Sequence, residues 1–222
     1  MIELSTHWRE VLPEACIGLL AVKTAPNQND HPNLIIARKN LENELKSKYG
    51  GMDRKSLRET PVFAAYDAFY RPFKKSYHVQ LQLESIVFKG KSIFSPSALV
   101  ASMFMAELET GLLTAAHDLT ALTLPLVADV AVGIETYQKL DGSDQTLKEG
   151  DMYIRDQKGI LSSVIYGPDQ RTQILPDTNQ AVFTTYGPLG ISKTQVLEQL
   201  EILEAFIKIF SPEAKRSLLV VL

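Results

Sequence analysis

The 222-residue sequence contains a single cysteine, Cys16, and only four histidines. One cysteine cannot form an internal disulfide and cannot build a cysteine zinc site. The histidines lack the spacing that is typical of metal ligands, and no glycine-rich phosphate-binding loop is present. We therefore expect neither a metal nor a cofactor. Cys16 lies in the apolar run of residues 15–22, where a small buried side chain is expected.

Long apolar segments are also missing from the sequence. No stretch approaches the roughly 20 apolar residues that a membrane-spanning helix needs. Residues 1–13 carry charges and no apolar run of signal-peptide length. The sequence therefore predicts a cytoplasmic protein without a membrane partner.

The charge balance limits the possible partners. The formal net charge is −3, which argues against a protein whose whole surface attracts nucleic acid, because phosphate binding depends largely on Lys and Arg. Local basic clusters are present, and rings at Phe69, Tyr70, Phe73 and Tyr77 are interleaved with one of them, as base-stacking surfaces require. A solvated helix face beside a helix-packing stripe explains the same pattern, so both interpretations stay open. The candidate phosphate contacts are Arg71, Lys74, Lys75, Lys89 and Lys91.

The order of the predicted elements favours an α+β fold, because helices come first, strands follow, and a long helix closes the series. Helical spacing, proline at helix starts and glycine at helix ends predict helices over 34–49, 61–71, 80–88, 96–109 and 193–210. Ser95 is the expected N-cap of the fourth helix. Strands are predicted over 15–23, 112–116, 126–132, 135–140, 152–156, 160–166 and 181–186. We expect one domain, residues 1–222.

The sharpest polar motif lies between Thr114 and Asp118, where His117 and Asp118 follow a predicted strand. Imidazole and carboxylate are groups that acid–base catalysis uses. Neighbouring strand residues point to opposite faces, however, so His117 and Asp118 need not share a site. The alternative is a structural role in which Asp118 caps the next turn.

The segment Glu107-Leu-Glu-Thr-Gly-Leu-Leu-Thr-Ala-Ala-His-Asp118 resembles the B3/B4 domain of the phenylalanyl-tRNA synthetase beta subunit. Downstream, Leu140-Asp-Gly and the acidic residues Asp151 and Asp156 are similar to the family's next motifs. Upstream, the segment from Tyr66 to Lys91 looks like freestanding and archaeal-type versions of the domain. The resemblance covers about residues 61–188.

This resemblance implies helices packed on a mixed β-sheet or barrel-like core, with a closing C-terminal helix, and it implies an editing function. In the synthetase, the domain hydrolyses tyrosine wrongly esterified to phenylalanine tRNA. It does so without a metal, by positioning a water against the ester while a pocket recognises the tyrosine hydroxyl. A site that hydrogen-bonds a substrate hydroxyl discriminates strongly against an analogue that lacks it.

The sequence departs from the bacterial family pattern at the residues that carry this chemistry. Ala115 stands at the position of the editing histidine. Val164 and Ile165 fall where the family has paired glycines, and Thr184 falls at the acidic residue that reads the tyrosine hydroxyl. His117 can replace the missing histidine only if the local geometry differs from the family's.

Two main functional hypotheses follow, and an enzyme of other chemistry is the third. In the first, a freestanding B3/B4-type protein binds tRNA carrying an amino acid, with hydrolysis of mischarged aminoacyl-tRNA in trans left open. In the second, a non-catalytic module binds a small aromatic or amino-acid-like ligand and has no RNA partner. The oligomeric state stays open in both. The expected catalytic residue is His117, and the expected pocket residues are Thr114, Asp118, Ser162, Ser163, Tyr166 and Thr184.

Overall fold

The computed structural model describes residues 2–24, 27, 31–94 and 96–222. Its elements are β1 (Ile2–Leu4), α1 (Thr6–Val11), β2 (Cys16–Lys23), α2 (Pro32–Tyr49), α3 (Arg54–Arg58), α4 (Pro61–Tyr70), α5 (His78–Lys89), α6 (Ala98–Thr110), β3 (Leu113–Asp118), β4 (Leu126–Val130), β5 (Thr136–Gln138), β6 (Asp144–Thr146), β7 (Met152–Arg155), β8 (Ile160–Ser163), β9 (Gly167–Pro168), β10 (Gln180–Gly187), α7 (Lys193–Phe210) and β11 (Lys215–Val221). The α+β prediction is confirmed.

A four-stranded antiparallel sheet forms the centre of the fold, in the order β11-β2-β10-β3. All residues of β2 except Lys23 are buried. Its nearly continuous apolar sequence fits a strand that is covered on both faces. Strand β3 lies at one edge, and it extends two residues beyond the predicted strand, so that His117 and Asp118 belong to it.

Helix α7 packs on this sheet and has the bounds that its amphipathic pattern predicted. Its N-terminus is fixed by a capping box between Ser192 and Gln195. Gly18 of β2 permits the close approach, because a Cβ there would lie 2.5 Å from Val196 Cγ1 and 2.8 Å from Leu200 Cδ1 of α7.

The last element is a strand, whereas the sequence predicted the helix over 193–210 as the closing element. Strand β11 pairs antiparallel with β2, and the N–H of Leu222 bonds to the carbonyl of Ile17 at 2.9 Å. The physical reason is that β2 needs hydrogen-bonding partners along both of its edges. Helix α7 is thus followed by one further sheet element.

A second, five-stranded sheet has the order β1-β4-β7-β8-β9, in which β1 is parallel to β4 and the other pairs are antiparallel. It meets the face of the central sheet opposite α7, where Tyr186 of β10 contacts Ser162 of β8. Both sheets are open, so the structure forms the sheet core and not the closed barrel that the sequence left possible. A small hairpin, β5-β6, completes the strands.

The helices before β3 are joined to the sheets by buried tyrosines. The Tyr66 hydroxyl donates to the Tyr186 carbonyl and accepts from the N–H of Leu113 at 2.9 Å. Tyr77 stacks on Tyr66 at 4.2 Å between ring centroids and donates to the Gly111 carbonyl at 2.8 Å. The rings interpreted as possible base-stacking surfaces are mostly core residues: Tyr70, Phe73 and Tyr77 are buried, and Phe69 is half-buried.

Helix α6 begins after Ser97, whose side chain accepts from the Val100 N–H. The expected cap Ser95 lies outside the described residues. Over the described ranges, no helix has the length and apolar content needed to cross a membrane.

Candidate functional site

A cavity of about 400 Å³ lies between helices α5 and α6, the edge strand β3 and the β8–β9 hairpin. Ligand pockets typically occupy about 300–1,000 Å³ and combine apolar walls with a few polar groups. The apolar lining includes Val100, Met103, Phe104, Leu113, Val164 and Ile174. The polar lining includes His78, Gln82, Glu107, Thr114, Ser163, Gln173 and Tyr186. This cavity is the candidate site.

A glycine turn places the last turn of α6 against the start of β3. Gly111 adopts φ 83° and ends the helix in the left-handed conformation that glycine tolerates best. A Cβ on Gly111 would also lie 3.0 Å from Val62 Cγ1. The chain therefore reverses within two residues, and Glu107 comes to lie beside Thr114.

Glu107 is the acidic residue of this cavity and is only 1% exposed. Its Oε1 accepts the backbone N–H of Thr114 at 2.7 Å. Its Oε2 has no hydrogen-bond partner among the described residues. Burial raises the pKa of Glu107 to about 8, because removing a carboxylate from water disfavours its charged form. Glu107 therefore holds a proton over most of the neutral range.

Two residues that the sequence assigned to the pocket, Thr114 and Ser163, line this cavity. The Thr114 hydroxyl is engaged with Thr185 Oγ1 at 2.8 Å and with the Gln199 side-chain amide of α7 at 3.0 Å. Ser163 Oγ accepts the N–H of Tyr166 at 3.0 Å. Their side chains therefore brace the cavity wall.

His117 lies in a buried chain of hydrogen bonds next to the cavity. Its Nδ1 is 2.8 Å from Thr172 Oγ1, and its Nε2 is 3.0 Å from Ser162 Oγ. Ser162 Oγ in turn lies 2.7 Å from the Tyr186 hydroxyl. At the other end, Thr172 donates to the carboxylate of Asp169.

An acid, an imidazole and a hydroxyl connected in this order would form an activated nucleophile, but here the Thr172 hydroxyl stands between the Asp169 carboxylate and the imidazole. His117 and Ser162 are also fully buried, and neither lines the cavity. Burial lowers the pKa of His117 to about 3, so its imidazole is neutral and both ring nitrogens are engaged. This arrangement supports a structural role for His117.

The other predicted pocket residues lie outside the cavity lining. Asp118 caps the turn after β3, where its carboxylate accepts the Thr120 N–H at 2.8 Å and the Thr178 hydroxyl at 2.7 Å. Thr184 is fully buried, and its hydroxyl has no partner among the described residues. Tyr166 is half-buried, and its ring lies 5.9 Å from Lys75 Nζ.

The candidate phosphate contacts are exposed at the two ends of α5. Lys74 and Lys75 precede the helix, Lys89 ends it and Lys91 follows it. Lys91 also borders a groove that shares His78, Gln82 and Phe94 with the cavity. Arg71 differs from the lysines, because it pairs with Asp67 at 3.0 Å.

No cluster of histidine, cysteine or acidic side chains suited to a metal ion occurs in the part of the chain that the structure describes. The cavity contains one acidic side chain, which is too few ligands for a metal centre.

Sequence reasoning did not single out Glu107 as a site residue. A signal was present, because Glu107 lies four residues after the buried Met103 and shares its face of an otherwise apolar helix. Acidic residues are rarely fully buried unless they are paired. A glutamate on the inner face of α6 therefore indicates a special environment.

No protein-family model matches the sequence, and no curated protein matches it. Among solved structures, an N-terminal fragment of the phenylalanyl-tRNA synthetase beta subunit from Pyrococcus horikoshii is similar, with a TM-score of 0.51 and 9% sequence identity. The match covers 100% of this chain and 53% of that fragment, so the chain spans about half of the fragment's length. At this identity the similarity concerns the fold, and function must be argued from the site.

Proposed function

We propose that this chain is a B3/B4-type module that binds an aminoacyl-tRNA, or a related amino-acid ester, and holds the aminoacyl group in the cavity beside Glu107. The observation that carries the proposal is this cavity of about 400 Å³, in a fold similar to the synthetase fragment. Its walls are mainly apolar, and its few polar groups suit the hydrogen-bonding end of an aminoacyl group.

The lysines around α5 are the proposed contacts to RNA. Helix α5 contributes His78 and Gln82 to the cavity wall, and exposed lysines flank the helix at both ends. Lysines in these positions can contact phosphates of a tRNA acceptor end whose aminoacyl group enters the cavity. The contacting residues are Lys74, Lys75, Lys89 and Lys91, with Arg71 partly neutralised by Asp67.

We propose ligand binding as the function of the cavity and assign no general base. His117 is outside the cavity lining and both its nitrogens are engaged. Hydrolysis of a mischarged ester in trans therefore calls for a water held by groups that do line the cavity, such as Ser163 or Gln82.

A second candidate is a non-catalytic module that binds a small amino-acid-like ligand without RNA. The pairing of both Arg58 and Arg71 with Asp67 favours it, because the carboxylate offsets one of these two positive charges near α5. The net charge of −3 acts in the same direction.

Binding of tRNA in a salt series separates the two candidates. We expect the same tRNA to bind more tightly when acylated than when uncharged, with an affinity that falls steeply as salt rises. Replacing both Lys74 and Lys75 by alanine should reduce the salt slope by about 1 for each lost phosphate contact. A matched variant with exposed Lys148 and Lys158 changed to alanine should keep the wild-type slope.

Equal affinity for acylated and uncharged tRNA would contradict binding of the aminoacyl group in the cavity. Absence of tRNA binding would leave the small-ligand candidate. Release of tyrosine from tyrosyl-tRNA of the phenylalanine type, measured with the same protein, tests hydrolysis. Tyrosine release that persists in a His117 variant shown to be folded would agree with the assignment of no base to His117.

A further inference from the structure

We propose that the cavity selects ligands that carry a primary ammonium group on an apolar body, and that the carboxylate of Glu107 is the counter-charge for that ammonium. This inference rests on the proposed function, because it names the part of an aminoacyl group that the site recognises. It gives Glu107 a role in ligand specificity and none in catalysis.

The first observation is the unequal use of the two oxygens of Glu107. Oε1 is bound to the Thr114 N–H at 2.7 Å, and this bond fixes the carboxyl plane between α6 and β3. Oε2 is buried and has no partner among the described residues. An unsatisfied buried polar atom carries a cost in free energy. A ligand donor that reaches Oε2 would remove that cost.

The second observation is the charge of the cavity. Among the residues that line it, none is a lysine or an arginine, and desolvation lowers the pKa of His78 to about 4, so that its imidazole is neutral at pH 7. An ionised Glu107 therefore has no resident counter-ion in the cavity. A carboxylate buried without a partner is disfavoured, so a cationic ligand would supply the missing charge.

The groups packed around Glu107 from other elements are neutral and already engaged. Tyr66 and Tyr70 of α4 donate to the carbonyls of Tyr186 and Val164, and Tyr77, before α5, donates to the carbonyl of Gly111. Burial raises the pKa of all three phenols. None of these tyrosines can supply a positive charge to an ionised Glu107.

The apolar walls define the rest of the ligand. Val100, Met103 and Phe104 of α6 and Val164 after β8 line the same space. They favour an aliphatic or aromatic body next to the charged group. An anionic ligand is disfavoured, because the cavity offers it no lysine or arginine.

Ammonium binding should release a proton at neutral pH. Free Glu107 is largely protonated there, since its pKa is about 8, and it must ionise to pair with an ammonium. An aliphatic primary amine such as 2-phenylethylamine resembles the Lys side chain and stays protonated over this range. Affinity should therefore rise about tenfold per pH unit below the pKa of Glu107.

Titration calorimetry with 2-phenylethylamine and with 2-phenylethanol tests this inference, because the two probes have the same body and differ in the ammonium group. We expect the amine to bind the wild-type protein about tenfold or more tightly than the alcohol, as for one charge-assisted contact. Repeating the titration in two buffers of different ionisation enthalpy should give close to one proton released per amine bound at pH 7.

Glu107→Gln is the diagnostic variant, and Glu109→Gln is its matched control on the same helix. Glu109 is half-buried and does not line the cavity. In Glu107→Gln the preference for the amine and its proton release should disappear while the alcohol still binds. In Glu109→Gln both should persist. If Glu107→Gln does not fold, the proton count of the wild-type protein decides alone.

Equal binding of amine and alcohol, or amine binding without proton release, would overturn the role of Glu107 and leave the cavity as a ligand site. If neither probe binds, the inference is overturned as well. The salt-dependent binding of acylated tRNA then decides the proposed function separately.

Discussion

Glu107 Oε1 accepts the backbone N–H of Thr114 at 2.7 Å, which joins the last turn of α6 to the second residue of β3 across the Gly111 turn. This contact fixes one carboxyl oxygen and leaves the other without a described partner at the candidate site. Glu107 therefore links the stability of the fold to the chemistry of the cavity.

Glu107→Gln should change how stability depends on pH. The folded pKa of about 8 lies above the ordinary pKa of a glutamate, 4.5, so the native state holds a proton that the unfolded chain has released. Stability is highest below the unfolded pKa and is lost as pH rises towards 8. Gln has no proton to lose and can keep the bond to Thr114.

Urea unfolding of the wild-type protein at about pH 6 and about pH 8.5 should show a loss on the order of 2 kcal/mol attributable to Glu107. Glu107→Gln should lack this part of the loss, whereas the exposed control Glu201→Gln should retain it. Burial also raises the pKa of Asp151, to about 7, so Asp151 likewise loses stabilising free energy as pH rises. The difference in stability between wild type and Glu107→Gln is therefore clearest above pH 7. Identical pH profiles for wild type and Glu107→Gln would contradict the buried carboxyl.

His117→Ala should reduce stability, because it leaves Ser162 and Thr172 without their partner and opens a void in a fully buried position. The expected loss at pH 7 is about 2–4 kcal/mol. His7→Ala, at a half-buried position in α1, should cost much less. A loss of less than about 0.5 kcal/mol for His117→Ala would argue against a structural role.

We also expect the buried, neutral His117 to make the stability of the fold sensitive to acid. Its pKa of about 3 lies below the ordinary pKa of a histidine, 6.5, so its contribution to stability is present above pH 6.5 and is lost as pH falls towards 3. Chemical unfolding of His117→Ala should show a smaller decline over this acid range than the wild-type protein. A decline that is unchanged in the variant would mean that His117 takes up a proton in the folded state.

Gly18→Ala should destabilise the fold through the contact between β2 and α7. The added Cβ would lie 2.5 Å from Val196 Cγ1, and overpacking of this kind costs about 1–3 kcal/mol. Gly51→Ala is the matched control, because a Cβ there has no heavy atom within 4 Å. In thermal unfolding, Gly18→Ala should have a lower Tm than the wild-type protein, and Gly51→Ala should keep the wild-type Tm. Equal Tm values would mean that α7 shifts without cost.

Much of this fold could be predicted from local sequence patterns. Helix α7 has a strong apolar stripe and a capping sequence, and its observed bounds match the prediction. Strand β11 could not be predicted in this way, because it is largely exposed and is defined by pairing with β2, which lies nearly the whole chain away. Local propensity does not specify such a pairing.

The candidate site was only partly predictable for the same reason. Thr114 and Ser163, two of the predicted pocket residues, line the cavity. His117 and Ser162 also lie together, yet they contact each other beneath the cavity. Which strand face meets open space depends on how the two sheets pack, and the sequence does not show this. The packing of α6 against β3 identifies Glu107 as a site residue.

Methionine methyl NMR tests the central claim, that the cavity is the ligand site, most directly. Met103 lines the cavity, whereas Met105 and Met152 are buried outside its lining and Met52 is exposed. During titration with phenylalaninamide, the Met103 methyl signal should shift and saturate, with a smaller response at Met105 and no change at Met52 and Met152. Saturable binding during which the Met103 signal stays still would contradict the account.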